Sequence, residues 1–227
     1  MKTGFAHANR KKTVPAIFAI AFGLSFFSPA ANGQTATPAP SRKKTIVFLG
    51  DSLTAGLGVQ GSEAFPALVA EKIRASNLPF DVENAGLSGD TSAGGLRRID
   101  WLLQRPIDIL IIELGANDGL RGLDLKSMKA NLKSIIEKTK AKNPAAKIIL
   151  AGMQVPPNLG AEYASGFQRV FAELAHENNA TLIPFLLEGV GGQRELNQPD
   201  QIHPNAAGHR IIAELVWRTL EPILRQP

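Results

Sequence analysis

The sequence predicts a single three-layer α/β/α domain on a five-stranded, parallel, flavodoxin-like sheet. Three observations carry this. Apolar runs alternate along the chain with segments of helical periodicity. The first run, Thr45-Ile46-Val47-Phe48-Leu49, is continuously apolar, as suits a strand covered on both faces. No internal repeat or second domain is visible. Strand–helix alternation implies helices on both faces of a parallel sheet, and right-handed crossovers restrict the topology. The expected strand order is 2-1-3-4-5.

Strands are expected at 45–50, 80–85, 107–114, 147–152 and 181–186. Phe65, Leu68, Val69 and Ile73 space an early helix, and Leu96, Ile99, Leu102 and Leu103 a second. Leu125, Met128, Leu132, Ile135, Ile136 and Thr139 make a stripe with lysines elsewhere. Tyr163, Phe167, Val170, Phe171 and Leu174 make another, and Ile211, Ile212, Leu215, Val216, Leu220 and Ile223 the last.

Residues 1–33 read as a secretory signal peptide. Lys2, Arg10, Lys11 and Lys12 form a basic region, Val14 to Phe27 an apolar one, and small residues follow. Fourteen apolar residues fall short of the ~20 of a spanning helix, so no stable membrane anchor is expected. Removing this segment takes away four of 25 basic residues and none of 20 acidic ones, so net charge falls from +5 to +1. No basic stripe is left for nucleic acid. A Pro/Thr/Ala-rich linker is expected over 34–44 and the domain over 45–227. The absence of cysteine excludes disulfides and thiolate metal sites.

Ser52 follows the first strand directly in Gly50-Asp51-Ser52-Leu53, so it should project at the sheet's C-terminal edge, where open α/β sheets bind ligands. Its plain structural reading is a hydroxyl that caps backbone N–H groups. Asp51 is a candidate orienting acid, but adjacent side chains at a sharp turn diverge, which favours a structural role. His203 lies before Pro204 at a loop-to-helix entry, three residues after Asp200. That spacing lets the Asp200 carboxylate reach Nδ1–H of a turned-back imidazole; a helix-entry cap is its alternative. His176 reads as a solvated helix residue, and His209 as a surface position of the last helix. A metal set of Asp200, His203 and His209 is disfavoured by the six-residue gap between the histidines.

Asn117, in Gly115-Ala116-Asn117-Asp118-Gly119, reads as a turn residue or as an amide donor to a developing oxyanion. Gly89 has the same two readings, its N–H being the donor. Gly56-Leu57-Gly58-Val59-Gln60-Gly61 matches a dinucleotide fingerprint but stands six residues after the strand, too far for backbone to meet pyrophosphate. Ser52, Gly89, Asn117 and His203 follow strands one, two, three and five. All four therefore come to one edge of the sheet, supplying a nucleophile, a base and two oxyanion donors.

These blocks resemble those of the SGNH, or GDSL-type, hydrolases, and the likeness runs from Ile46 to about Leu224. The branch most similar is that of bacterial periplasmic thioesterases, lysophospholipases and arylesterases. Gly50 to Gly56 resembles the first block and implies Ser52 as nucleophile. Asn84 to Ser92 resembles the second and implies Gly89 N–H as a donor. Gly115 to Asp118 resembles the third and implies Asn117, with Ala116 a mild departure where glycine is frequent. Asp200 to Pro204 resembles the last and implies Asp200 and His203 as triad members. Pro156-Pro157-Asn158 is similar to a loop beside the acyl groove.

The resemblance implies a cofactor-free serine hydrolase acting on an ester, thioester or lysophospholipid, with Ser52 N–H as a third oxyanion donor. Export to the periplasm or beyond is expected, as is a monomer. Two alternatives stay open: a carbohydrate O-deacetylase of the same fold, and a non-catalytic module that binds nucleotide or lipid.

Overall fold

The five expected strands form and pair in the expected order. They are β1 (Lys44–Gly50), β2 (Phe80–Gly86), β3 (Ile109–Glu113), β4 (Lys147–Ala151) and β5 (Thr181–Ile183). Every pairing is parallel, and the order is β2-β1-β3-β4-β5. This computed structural model describes residues 42–226. The expected signal segment, and the linker as far as residue 41, lie outside those residues. Arg42 and Lys43 form an exposed flank, and Lys44 already belongs to β1. The fifth strand is half its expected length, because Pro184 has no N–H to continue the ladder.

The described residues also form seven α-helices: α1 (Ser52–Ala55), α2 (Phe65–Ala75), α3 (Ser92–Leu102), α4 (Ala116–Leu120), α5 (Leu125–Lys142), α6 (Ala161–Asn178) and α7 (Ala206–Leu224). The short α1 and α4 were not expected. Four or five residues are too few for a 3.6-residue period to register. The five long helices follow the apolar stripes: in α5, Met128, Leu132, Ile135, Ile136 and Thr139 are all buried. Side chains cap the starts of three of them. Thr91 accepts from Gly94 N, Asp124 from Ser127 N, and Asn205 from Ala207 N and Gly208 N.

α3 packs on α5 and α5 on α6, while α2 packs on α7. Right-handed crossovers place these two groups on opposite faces of the sheet. β1 lies between them, and Ile46, Val47, Phe48 and Leu49 are buried on both sides. Phe65, at the start of α2, meets Phe48 edge-on at 5.6 Å and stacks on His209 of α7 at 6.2 Å. One aromatic side chain thus links strand and both helices.

His209 is buried, which corrects its expected surface position. Its Nδ1 accepts the Phe65 N–H at 3.3 Å, a helix N-terminal donor that α2 leaves without a side-chain cap. Burial lowers its pKa from the ordinary 6.5 to about 4. The folded chain keeps the ring neutral where the unfolded chain takes up a proton. This contribution to stability is therefore present above pH 6.5 and is lost as pH falls toward 4. Between those limits wild type should lose roughly 2–3 kcal/mol more than His209→Gln. Urea unfolding of both proteins across that range checks it.

Candidate active site

The strand register sets the site. Gly50 pairs with Gly86 on one side and with Glu113 on the other, so β1, β2 and β3 end level. The chain then turns into α1, whose start Asp51 caps by accepting Leu53 N–H at 3.0 Å. A Cβ on Gly86 would stand 2.2 Å from Ala55 N, so the glycine lets α1 lie directly on the end of β2. Ser52 is the first residue of α1 and is 8% exposed.

The opposite wall comes from the loop before α7. Asp200 Oδ1 accepts Ile202 N–H at 2.9 Å and His203 N–H at 3.0 Å, which folds the loop back on itself. Gln201 completes that turn with a left-handed backbone, φ 58°. The imidazole is thereby aimed at α1. His203 Nδ1 lies 2.7 Å from Asp200 Oδ2, and Nε2 lies 3.0 Å from Ser52 Oγ. The hydrogen bonds from the His203 ring, His203 N–H and Ile202 N–H hold the Asp200 carboxyl down at about 2. It stays ionised across the physiological range.

Asn117 does not sit in an open turn; it lies within α4, which begins at left-handed Gly115. Its Nδ2 donates to Asp51 Oδ2 at 3.1 Å and to Asp90 O at 2.9 Å. Both amide hydrogens therefore have acceptors in the resting site, and an incoming oxyanion would have to share one. Gly89 is exposed with φ 80°, and its carbonyl accepts from Arg121 at 3.1 Å. Among the described residues neither Gly89 N–H nor Ser52 N–H donates to a protein atom. The structure thus brings Ser52, Asn117 and His203 together, sets Asp200 behind the imidazole and leaves Gly89 at the rim.

Three supporting residues escaped the sequence reading. Arg98 donates to Asp90 Oδ2 at 2.7 Å, Ala85 O at 2.7 Å and Gly50 O at 2.9 Å, tying the ends of β1 and β2 to the Gly89 loop. Its signal was an arginine in line with buried Gly94 and Leu102 on α3. Asp118 accepts from Ser92 N at 2.8 Å and Ser92 Oγ at 2.6 Å, anchoring α4 to the start of α3. Glu113 is a charged residue type closing a wholly buried strand, which is itself a signal.

A cleft of about 320 Å³ opens over Ser52 and His203. Its walls are mostly apolar, with Leu53, Leu120, Met153, Pro156, Leu187 and Ile202 around the polar floor. Ala116 lines it too. The Gly56–Gly61 run lies beyond α1 and lines no part of this cleft. Among the described residues no cluster of His, Asp and Glu could hold a metal ion.

Residues 48–211 match the GDSL-like Lipase/Acylhydrolase family. The chain belongs to that family. Its membership makes it a carboxylic ester hydrolase by class. It is 42% identical to esterase TesA of Pseudomonas aeruginosa over 183 residues, covering 80% of this chain and 90% of the relative. It is 37% identical over 181 residues to the thioesterase 1/protease 1/lysophospholipase L1 of Escherichia coli K12, covering 79% and 85% of the two chains. The crystal structure of the psychrotrophic esterase EstA from Pseudoalteromonas sp., inhibited by monoethylphosphonate, superposes with a TM-score of 0.76 at 36% identity, covering 81% of this chain and all of that one.

Arg98 and Asp90 are 22% and 6% exposed, so removing the cation strands a nearly buried carboxylate. Arg98→Met should destabilise by about 2–4 kcal/mol in chemical denaturation. Arg98→Lys should recover only part of this, because one ammonium cannot span three acceptors.

Proposed function

We propose that this chain hydrolyses acyl esters and thioesters, lysophospholipids among them, through an acyl-serine intermediate on Ser52. The observation that carries the reading is the line Ser52 Oγ, His203, Asp200, with bonds of 3.0 and 2.7 Å on the floor of an apolar cleft. Asp200, an anion throughout, accepts Nδ1–H and so leaves Nε2 free as the base. Ser52 Oγ attacks the carbonyl carbon while its proton passes to Nε2. The carbonyl oxygen takes the negative charge and lies against Ser52 N–H, Gly89 N–H and one shared Asn117 hydrogen. Collapse expels the alcohol or thiol, which receives the proton from Nε2. Water then repeats the sequence on the acyl group and releases the acid and free serine.

One chain supplies every group in this scheme, which supports action as a monomer. Export rests on the basic and apolar pattern of residues 1–33. The apolar walls favour an acyl chain over a sugar, because Leu120, Met153, Leu187 and Ile202 offer hydroxyl groups no partners. No helix of the described residues is long and apolar enough to cross a membrane.

Ser52→Ala should abolish turnover, with a thermal transition close to wild type, since it removes one oxygen from a cleft wall. Substantial hydrolysis by a pure, folded Ser52→Ala protein would sink the proposal. Asp51→Asn and Asp200→Asn belong in the same assay, and the larger fall is expected at Asp200, which alone touches the imidazole.

Acyl preference should be broad. One methylene in an open apolar cleft separates substrates by only ~1–3 kcal/mol. The test is kcat/KM across p-nitrophenyl esters from acetyl to palmitoyl, beside an acyl-CoA and a lysophospholipid. Activity on acetyl esters alone would favour the carbohydrate deacetylase instead.

A further inference from the structure

Glu113 takes no part in that scheme, yet it is wholly buried beneath α1 as the last residue of β3. Its carboxyl occupies room that Gly50 leaves open. A Cβ on Gly50 would stand 2.7 Å from Glu113 Oε2 and 2.0 Å from Thr54 Oγ1. Oε2 accepts from Thr54 Oγ1 at 2.8 Å and from the N–H groups of Thr54 and Asp51, each at 3.3 Å. Oε1 is buried and receives no N–H or O–H donor. Among the described residues no lysine, arginine or histidine bonds to this carboxyl. An ionised carboxylate with one bare oxygen is costly in such a place.

The neutral acid removes that cost, because Oε1 then becomes a donor that needs an acceptor. The Asp51 carboxyl is its neighbour, since Asp51 N–H already bonds Oε2 at 3.3 Å, and would supply one. Two neighbouring, buried carboxyls hold one proton between them rather than two charges. Their surroundings decide which keeps it. Asp51 also accepts from Leu53 N–H and Asn117 Nδ2. Glu113 faces no charged group but Asp51.

We infer that Glu113 is a positioning residue: as the neutral acid it donates a hydrogen bond to ionised Asp51, which in turn holds the Asn117 amide in place. Burial pushes Glu113 well above the ordinary carboxylate range, whereas Asp51 is raised only to about 6. A line of bonds then runs from the end of β3 through Asp51 to Asn117 and the Asp90 carbonyl. Below pH about 6 Asp51 takes up a proton, and the Asn117 amide loses its anionic acceptor.

The inference rests on the Ser52 and Asn117 roles proposed above, and its test reads a proton as well as a rate. Infrared difference spectra of the whole protein at neutral pH should show a carboxylic-acid carbonyl band that disappears in Glu113→Gln. The glutamine keeps both the acceptor for Thr54 and a donor for Asp51, so its kcat should stay within about threefold of wild type. Glu113→Leu has no donor and should lower kcat about tenfold or more, with KM little changed. No such band in wild type, or a Glu113→Gln protein as impaired in kcat as Glu113→Leu, would overturn the inference. Should Glu113→Leu fail to fold, the band and the kcat of Glu113→Gln still decide. An active Ser52→Ala protein would strike the serine mechanism and leave the band unaffected.

Discussion

Level strand ends around Gly50 are the constraint on which the site depends. Because Gly50 lies between Gly86 and Glu113 in the sheet register, three chain segments leave the core at one height. No side chain stands at the centre of that edge, so the Glu113 carboxyl and the Thr54 hydroxyl fill it from either side. α1 can then settle on Gly86, which puts Ser52 at its start beneath the opening of the cleft. Arg98 closes the same edge from α3 through the carbonyls of Gly50 and Ala85. A side chain at residue 50 would displace the Thr54 hydroxyl and the Glu113 carboxyl together.

Three carboxyl groups near the serine show how surroundings divide one chemical group into separate roles. Asp200 is partly exposed, accepts three hydrogen bonds and stays at about 2. Asp51 is buried with two donors and rises to about 6. Glu113, wholly buried with one oxygen bare, goes well beyond the ordinary carboxylate range. Burial raises each of them, least at exposed Asp200, and the neighbouring Asp51 charge lifts Glu113 furthest. The most exposed acid serves the imidazole, and the two buried ones serve the frame. His203 joins that frame through Gln198, whose Nε2 donates to Leu57 O at 2.6 Å and to Pro204 O at 3.0 Å, lacing the histidine loop to the serine side.

The long elements were legible because burial on two faces and a 3.6-residue stripe leave marks in the order of residues. Thr45–Leu49 reads as a central strand, and Met128 to Thr139 as a helix face, without any tertiary information. Ser52, Asn117 and His203 were legible for a different reason: each follows a strand, and parallel strands share one C-terminal edge. What stayed hidden was contact between distant segments. Only its place in line with Gly94 and Leu102 distinguishes Arg98 from its neighbour Arg97, and nothing local shows that it reaches Gly50 across 48 residues. His209 looked like a surface position because its partner, the Phe65 N–H, lies 144 residues away. The Asn117 amide likewise reads as a free donor until Asp51 and Asp90 are placed around it.

A crystal structure of the phosphonate-treated protein tests the central claim most directly, since a phosphonate ester resembles the tetrahedral state expected during acyl transfer. The account predicts phosphorus bonded to Ser52 Oγ. One phosphoryl oxygen should lie within hydrogen-bond distance of Ser52 N, Gly89 N and Asn117 Nδ2, with the His203–Asp200 bond intact. Phosphorus on any other residue, or a phosphoryl oxygen turned away from all three donors, would contradict it.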